Sequence, residues 1–188
     1  NYLLAKDGVK PDEVSIIGVG AGSTAVAGMK RGEIDAISNL DPVITNLERD
    51  GDIKILADSR TEEGMMEIFG STGLPAAVLY AKGEFIEQNP NTTQALVNAL
   101  YKALKWLETA TPEDVANTVP EEYIGGNREV YLDAVANSLP TYSRTGVITD
   151  AGIDTAMELL SFDPEIAAAT IDRAKTFDPT FVNKAAGN

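Results

Sequence analysis

Three glycines at alternate positions, Gly18, Gly20 and Gly22, run into Ser23 and Thr24, and this is the stretch best equipped to hold a ligand. Glycine lets a backbone turn tightly and approach a bound group closely. Where such a turn opens a helix, the first backbone N–H groups point outward at the positive end of the helix dipole. Gly20, Ala21, Gly22, Ser23 and Thr24 would then offer amide donors, and two hydroxyls besides, so that an oxyanion can be held without Arg or Lys. The same residues fit a purely structural use, with Ser23 or Thr24 capping the helix and the glycines turning the chain. A second polar turn carries Asn39, which can orient a polar ligand, and Asp41, whose place before Pro42 suits a helix cap better than a ligand contact. Tyr80 offers a ring face or a hydroxyl, although an aromatic in a strand more often serves a core. There is no His and no Cys, which excludes Ser-His-Asp triads, thiolate nucleophiles, disulfides and His-ligated zinc. Glu62-Glu63 and Glu121-Glu122 are acid pairs in solvated, turn-like contexts with no base beside them. No catalytic residue, metal ligand or cofactor is expected.

The elements that must position these residues follow from the apolar pattern. Val14 to Val19 is a compact apolar run suited to a buried parallel strand, followed by the glycine turn and a helix through Arg31 that Gly32 stops. Ile34 to Asn39 is a second short strand. Asp41 to Asp50 is a helix with Val43, Ile44 and Leu47 inward, stopped by Gly51, and Ile53 to Ala57 is a third strand. This alternation implies a parallel sheet with right-handed crossovers, whose ligand-facing turns lie at the carboxyl ends of the strands. Ser59 to Pro75 is less regular and reads as an interdomain connection; Ala76 to Ala81 is one more strand. Helical pattern then takes over: Thr92 to Glu108 with a stripe of Leu96, Leu100, Ala103, Leu104 and Leu107, a helix capped by Thr111, then Asn127 to Leu139, Thr149 to Leu160 and Pro164 to Lys175. Trp106 is assigned to packing. These helices need a surface to cover, either a sheet supplied by residues before Asn1 or, as a helical bundle, the first sheet.

With 188 residues, 44% of them hydrophobic and 23% charged, the chain has the composition of an ordinary globular protein of one or two domains. Its formal charge of −14 argues against nucleic acid or an anionic membrane surface as partner. No apolar stretch is long enough to span a membrane. Asn1 to Asp7 reads as the last turns of a helix ending at Gly8, with no signal core before it. The expectation is that the chain begins inside a helix, with a targeting segment and part of the fold lying upstream.

The run LLAKDGVKPDEVSIIGVGAGSTAVAGMKRGEIDAISNLDPVITNLERDGDIKILAD resembles the middle of the substrate-binding proteins of ABC importers of the nitrate, sulfonate and taurine type, a group that includes thiamine-precursor-like proteins. LPAAVLYAKGEFIEQNP is similar to the segment where that family crosses back to its first lobe, and SRTGVITDAGIDTAMELLSFDPEI with FDPTFVNKA to its C-terminal helices. The resemblance implies an α/β, periplasmic-binding-protein-like fold of type II: two lobes about a two-stranded hinge, with a small ligand between them. It divides the chain into residues 1–75, most of lobe two with its ligand-facing turns, and 76–188, the mainly helical return half of lobe one. It implies a periplasmic or extracytoplasmic solute receptor, not an enzyme, whose partners are a small-molecule ligand and a membrane permease, with no nucleic acid and with a second chain or missing N-terminal segment completing it. Two other classes fit parts of the pattern. A dinucleotide-binding enzyme would use Gly18 and Gly20 with Asp41 as the ribose acid, but Ser23 replaces the third glycine. An effector-binding domain of a transcription regulator would need a helix-turn-helix upstream.

Overall fold

Gly32 and Gly51 end two helices by the same device. In each, the glycine takes a positive φ, 69° and 75° respectively. After the helix Ser23–Lys30 (α2), Gly32 N–H donates to Met29 O at 3.0 Å and Glu33 N–H to Gly28 O at 3.0 Å. After Val43–Arg49 (α3), Gly51 donates to Glu48 O at 3.1 Å and Asp52 to Leu47 O at 3.0 Å. Both are Schellman closures, which satisfy carbonyls the helix leaves unpaired.

The computed structural model describes residues 1–187. The remaining helices among them are Tyr2–Lys6 (α1), Glu62–Phe69 (α4), Gly83–Gln88 (α5), Pro90–Leu107 (α6), Pro112–Thr118 (α7), Arg128–Ser138 (α8), Asp150–Leu160 (α9), Pro164–Ala167 (α10), Arg173–Thr176 (α11) and Thr180–Ala185 (α12). The chain forms two compact units, Asn1–Gly8 with Met65–Thr109 and Tyr142–Asn188, and Val9–Gly64 with Ala110–Thr141. The chain passes between the units at Gly8–Val9, Gly64–Met65, Thr109–Ala110 and Thr141–Tyr142.

The Val9–Gly64 unit is built on α2 and α3. Ala25, Val43 and Leu47 are buried at its centre, and Val19, Val26, Met29, Ile37 and Ile53 pack against them. A Cβ at Gly28 would stand 2.8 Å from the Ile34 side chain, so the missing side chain lets Ile34 close on the helix. Helix α8 packs on α3 and α7 on α8, joined by ion pairs from Arg49 to Glu129 and Asp133. In the other unit the Tyr2 ring meets Phe69 at 5.6 Å and, edge-on, Phe162 at 5.5 Å, and Lys6 donates to Ile68 O. Helix α6 packs on α12, where Gln94 donates to Phe181 O at 2.9 Å.

The expected strands differ. Val14 to Val19, Ile34 to Asn39, Ile53 to Ala57 and Ala76 to Ala81 carry no strand among the described residues, and the expected parallel sheet is not present there. A strand exists through a ladder of bonds to a neighbour, and these runs make none. One side of each of the first three runs rests on the helices, through Val19, Ile37 and Ile53. Other apolar residues of these runs stay in solvent, Ile16 at 66% and Leu56 at 84% exposure. Two helical expectations also change. The segment 59–75 contains α4, capped by Thr61 accepting from Gly64 N and buried through Met65 and Ile68. The helix expected over 164–175 is two short ones, because Asp172 caps a new start by accepting from Ala174 N.

Candidate functional site

Helix α2 begins at Ser23 with Gly22 as its N-cap, φ −139° and ψ −160°, and no side chain caps it. The expected cap by Ser23 or Thr24 is therefore corrected: a capping side chain must sit on the extended residue before the helix, and that place is Gly22's. Ser23 and Thr24 occupy the first helical turn, exposed, and no described protein acceptor takes their N–H or hydroxyl groups. Gly20, whose φ of 69° disfavours any side chain, Ala21 and Gly22 are exposed with them.

The second turn lies against the first. Asn39 donates through Nδ2 to Gly20 O at 2.8 Å and accepts from Leu40 N at 2.9 Å, so one side chain ties the carbonyl before the helix start to its own turn. Asp41 is held by the protein on both oxygens. Its Oδ1 accepts from Thr45 N at 2.9 Å and Thr45 Oγ1 at 2.7 Å, and its Oδ2 meets Arg60 Nη1 at 3.3 Å. With Pro42 as N-cap of α3, Asp41 satisfies that helix start from one residue further out than expected.

Arg60 escaped the sequence reading, as did Thr45 and Asn137. The Arg60 guanidinium meets Asp58 through Nε at 2.9 Å and Nη2 at 2.8 Å, and approaches Glu48 at 3.6 Å. Hydrogen bonding from Arg60 holds the Asp58 carboxyl below its usual range, against the opposing effect of burial. Asp58, followed two residues on by Arg60, is the one local signal. The contacts with Asp41 and with Asn137, which donates to Thr45 Oγ1 at 3.1 Å, span 19 and 92 residues and leave no local trace.

Tyr80 belongs to the other unit and is 88% exposed. Among the described residues no group of His, Cys, Asp and Glu can hold a metal ion, and no helix is long and apolar enough to cross a membrane. The two turns thus present exposed N–H and hydroxyl donors that take no described protein acceptor, on a backbone held by Asn39.

Comparison with known proteins agrees in kind. The model of the NMT1-like family matches residues 1–119. The taurine-binding periplasmic protein of Escherichia coli (strain K12) is 27% identical over 191 residues, covering 93% of this chain and 55% of that protein. A solved structure from Bordetella bronchiseptica RB50 is 44% identical with a TM-score of 0.90, covering 99% of this chain and 58% of its own. The chain thus spans little more than half the length of the relatives it matches. With more than half of its residues matched by one family model, this chain belongs to the NMT1-like family.

Proposed function

We propose that this chain is the greater part of an extracytoplasmic solute-binding receptor of an ABC importer, which captures a small anion at the start of α2 and hands it to a membrane permease. The observation that carries the reading is the open turn Gly20–Thr24, whose unused amide and hydroxyl donors stand beside an Asn39 anchor. A sulfonate presents three oxygens to such donors, and taurine, after which the Escherichia coli relative is named, is the first candidate. Nitrate, carboxylates and pyrimidine-like compounds share the acceptor chemistry. Gly20, Ala21, Gly22, Ser23, Thr24 and Asn39 would contact the ligand; Asp41 would brace the turn; Tyr80 would contribute from the returning segment.

The finer fold is part of the proposal. Completed by further chain, the runs 14–19, 34–39 and 53–57 would form the parallel sheet whose helix-facing side Val19, Ile37 and Ile53 already supply. Two lobes, 1–75 and 76–188 with its completing segment, would close on the ligand, which stabilises closure only by binding the closed form better. No turnover accompanies binding in this reading.

Thermal-shift and calorimetric titration of the full-length protein with taurine, nitrate, benzoate and uracil tests it. A ligand that binds only the folded state raises the melting temperature. The reading fails if none of the four does so, or if the bound compound is recovered chemically changed.

A further inference from the structure

A single cation is set among three carboxylates beside the proposed ligand turn. Arg60 is 20% exposed in its side chain and Asp41 only 6%. Asp58 takes both donors along one edge of the guanidinium, Nε and Nη2, and the Arg60 backbone N–H at 2.9 Å as well, which leaves Nη1 directed at Asp41. An arginine can serve both acids because its donors form a planar fork; a lysine ammonium would meet one or the other. Thr45, 2% exposed, closes the far side of Asp41. Asp41 therefore has one cationic partner among the described residues, and a buried carboxylate stripped of its partner is left as an uncompensated charge. Two residues before it is Asn39, whose side chain holds Gly20 O.

We infer that Arg60 is a positioning residue for the Gly20–Thr24 turn, acting on it through Asp41 and Asn39. The inference rests on the reading of that turn as the ligand's seat, but its first test needs no ligand. In ¹H–¹⁵N spectra of the ligand-free, full-length protein, Arg60→Gln displaces the Asn39 side-chain amide and the Ser23 and Thr24 backbone signals. Arg60→Lys restores them only in part, since it keeps the charge and loses the fork. Asp41→Asn, which retains an acceptor for Thr45, displaces the same signals, and the double variant displaces them no further than Arg60→Gln alone. Should Arg60→Gln fail to fold, Asp41→Asn carries the test by itself. Unmoved Asn39, Ser23 and Thr24 signals in a folded variant, with only the melting temperature lowered, would make Arg60 a plain structural staple and overturn the inference. So would displacements that add in the double variant. A second arm measures taurine affinity, expected to fall about tenfold in Arg60→Gln. Absence of taurine binding to the parent counts against the ligand assignment alone, whereas displaced signals with unchanged taurine affinity count against Arg60.

Discussion

Ser23 and Thr24 enter the fold without spending their hydroxyls on it, so that at the residue scale the proposed ligand contact can be tested apart from stability. Replacing both by Ala should change the unfolding free energy by less than about 0.5 kcal/mol, as for surface positions free of such roles. Ligand affinity should fall clearly. Calorimetric titration beside chemical denaturation checks the pair of outcomes, and equal affinity in variant and parent removes both residues from the site. Asp58 shows the opposite case. Arg60 holds its carboxyl below the ordinary range, so the folded state gains when pH is above the unfolded value of about 3.9 and loses that gain as pH falls through the lower folded value. Asp58→Asn should thus cost stability at neutral pH, and its deficit should shrink on acidification below about pH 4. Melting temperatures at both pH values decide this; a deficit constant with pH refutes it. The helix start at Ser23 was legible because glycine spacing and hydroxyls lie side by side in the chain. Arg60 was not, because nothing local tells which distant acid a cation will meet.

Elements were legible where their signals are local. Thr111 accepts from Asp114 N at 3.2 Å while Asp114 accepts from Thr111 N at 2.9 Å, the reciprocal cap that Thr-Pro-Glu-Asp announces. Asn127 and Thr149 likewise cap α8 and α9. The runs expected as strands form none among the described residues, because an apolar run reports burial on some side while a ladder depends on a partner segment. Helix α4 was hidden by Gly64, which looks like a breaker and is a close-contact site. A Cβ there would lie 1.8 Å from Asp58 O. Alanine would gain about 1 kcal/mol of helix propensity over glycine, yet a backbone clash this close should cost more than that, at the upper end of the roughly 1–3 kcal/mol of overpacking. Denaturant unfolding of Gly64→Ala measures the balance, and a variant as stable as the parent would show that the Asp58 to Gly64 segment can open freely.

At the scale of the molecule, the chain matches 58% of the length of its solved relative and leaves apolar side chains uncovered in both units: Ile16, Ile17 and Leu56 in one, Val78, Leu79 and Tyr80 in the other. Residues 1–188 produced alone should therefore bind a hydrophobic dye such as anilinonaphthalene sulfonate and associate in light scattering. A monomer that leaves the dye dark refutes this. The division into units has another consequence, which concerns time. The chain passes between them at Gly8–Val9, Gly64–Met65, Thr109–Ala110 and Thr141–Tyr142. Synthesised from its N-terminus, it completes the unit of Val9–Gly64 and Ala110–Thr141 first, and α6 waits for α12, the helix it packs on. At ribosomal speed the interval from Leu107 to Ala185 is roughly ten seconds. Leu96 and Leu100, 45% and 49% exposed even after folding, lack that neighbour throughout it. Nascent chains stalled in this interval should be cut by protease within α6, and chains released at full length should resist.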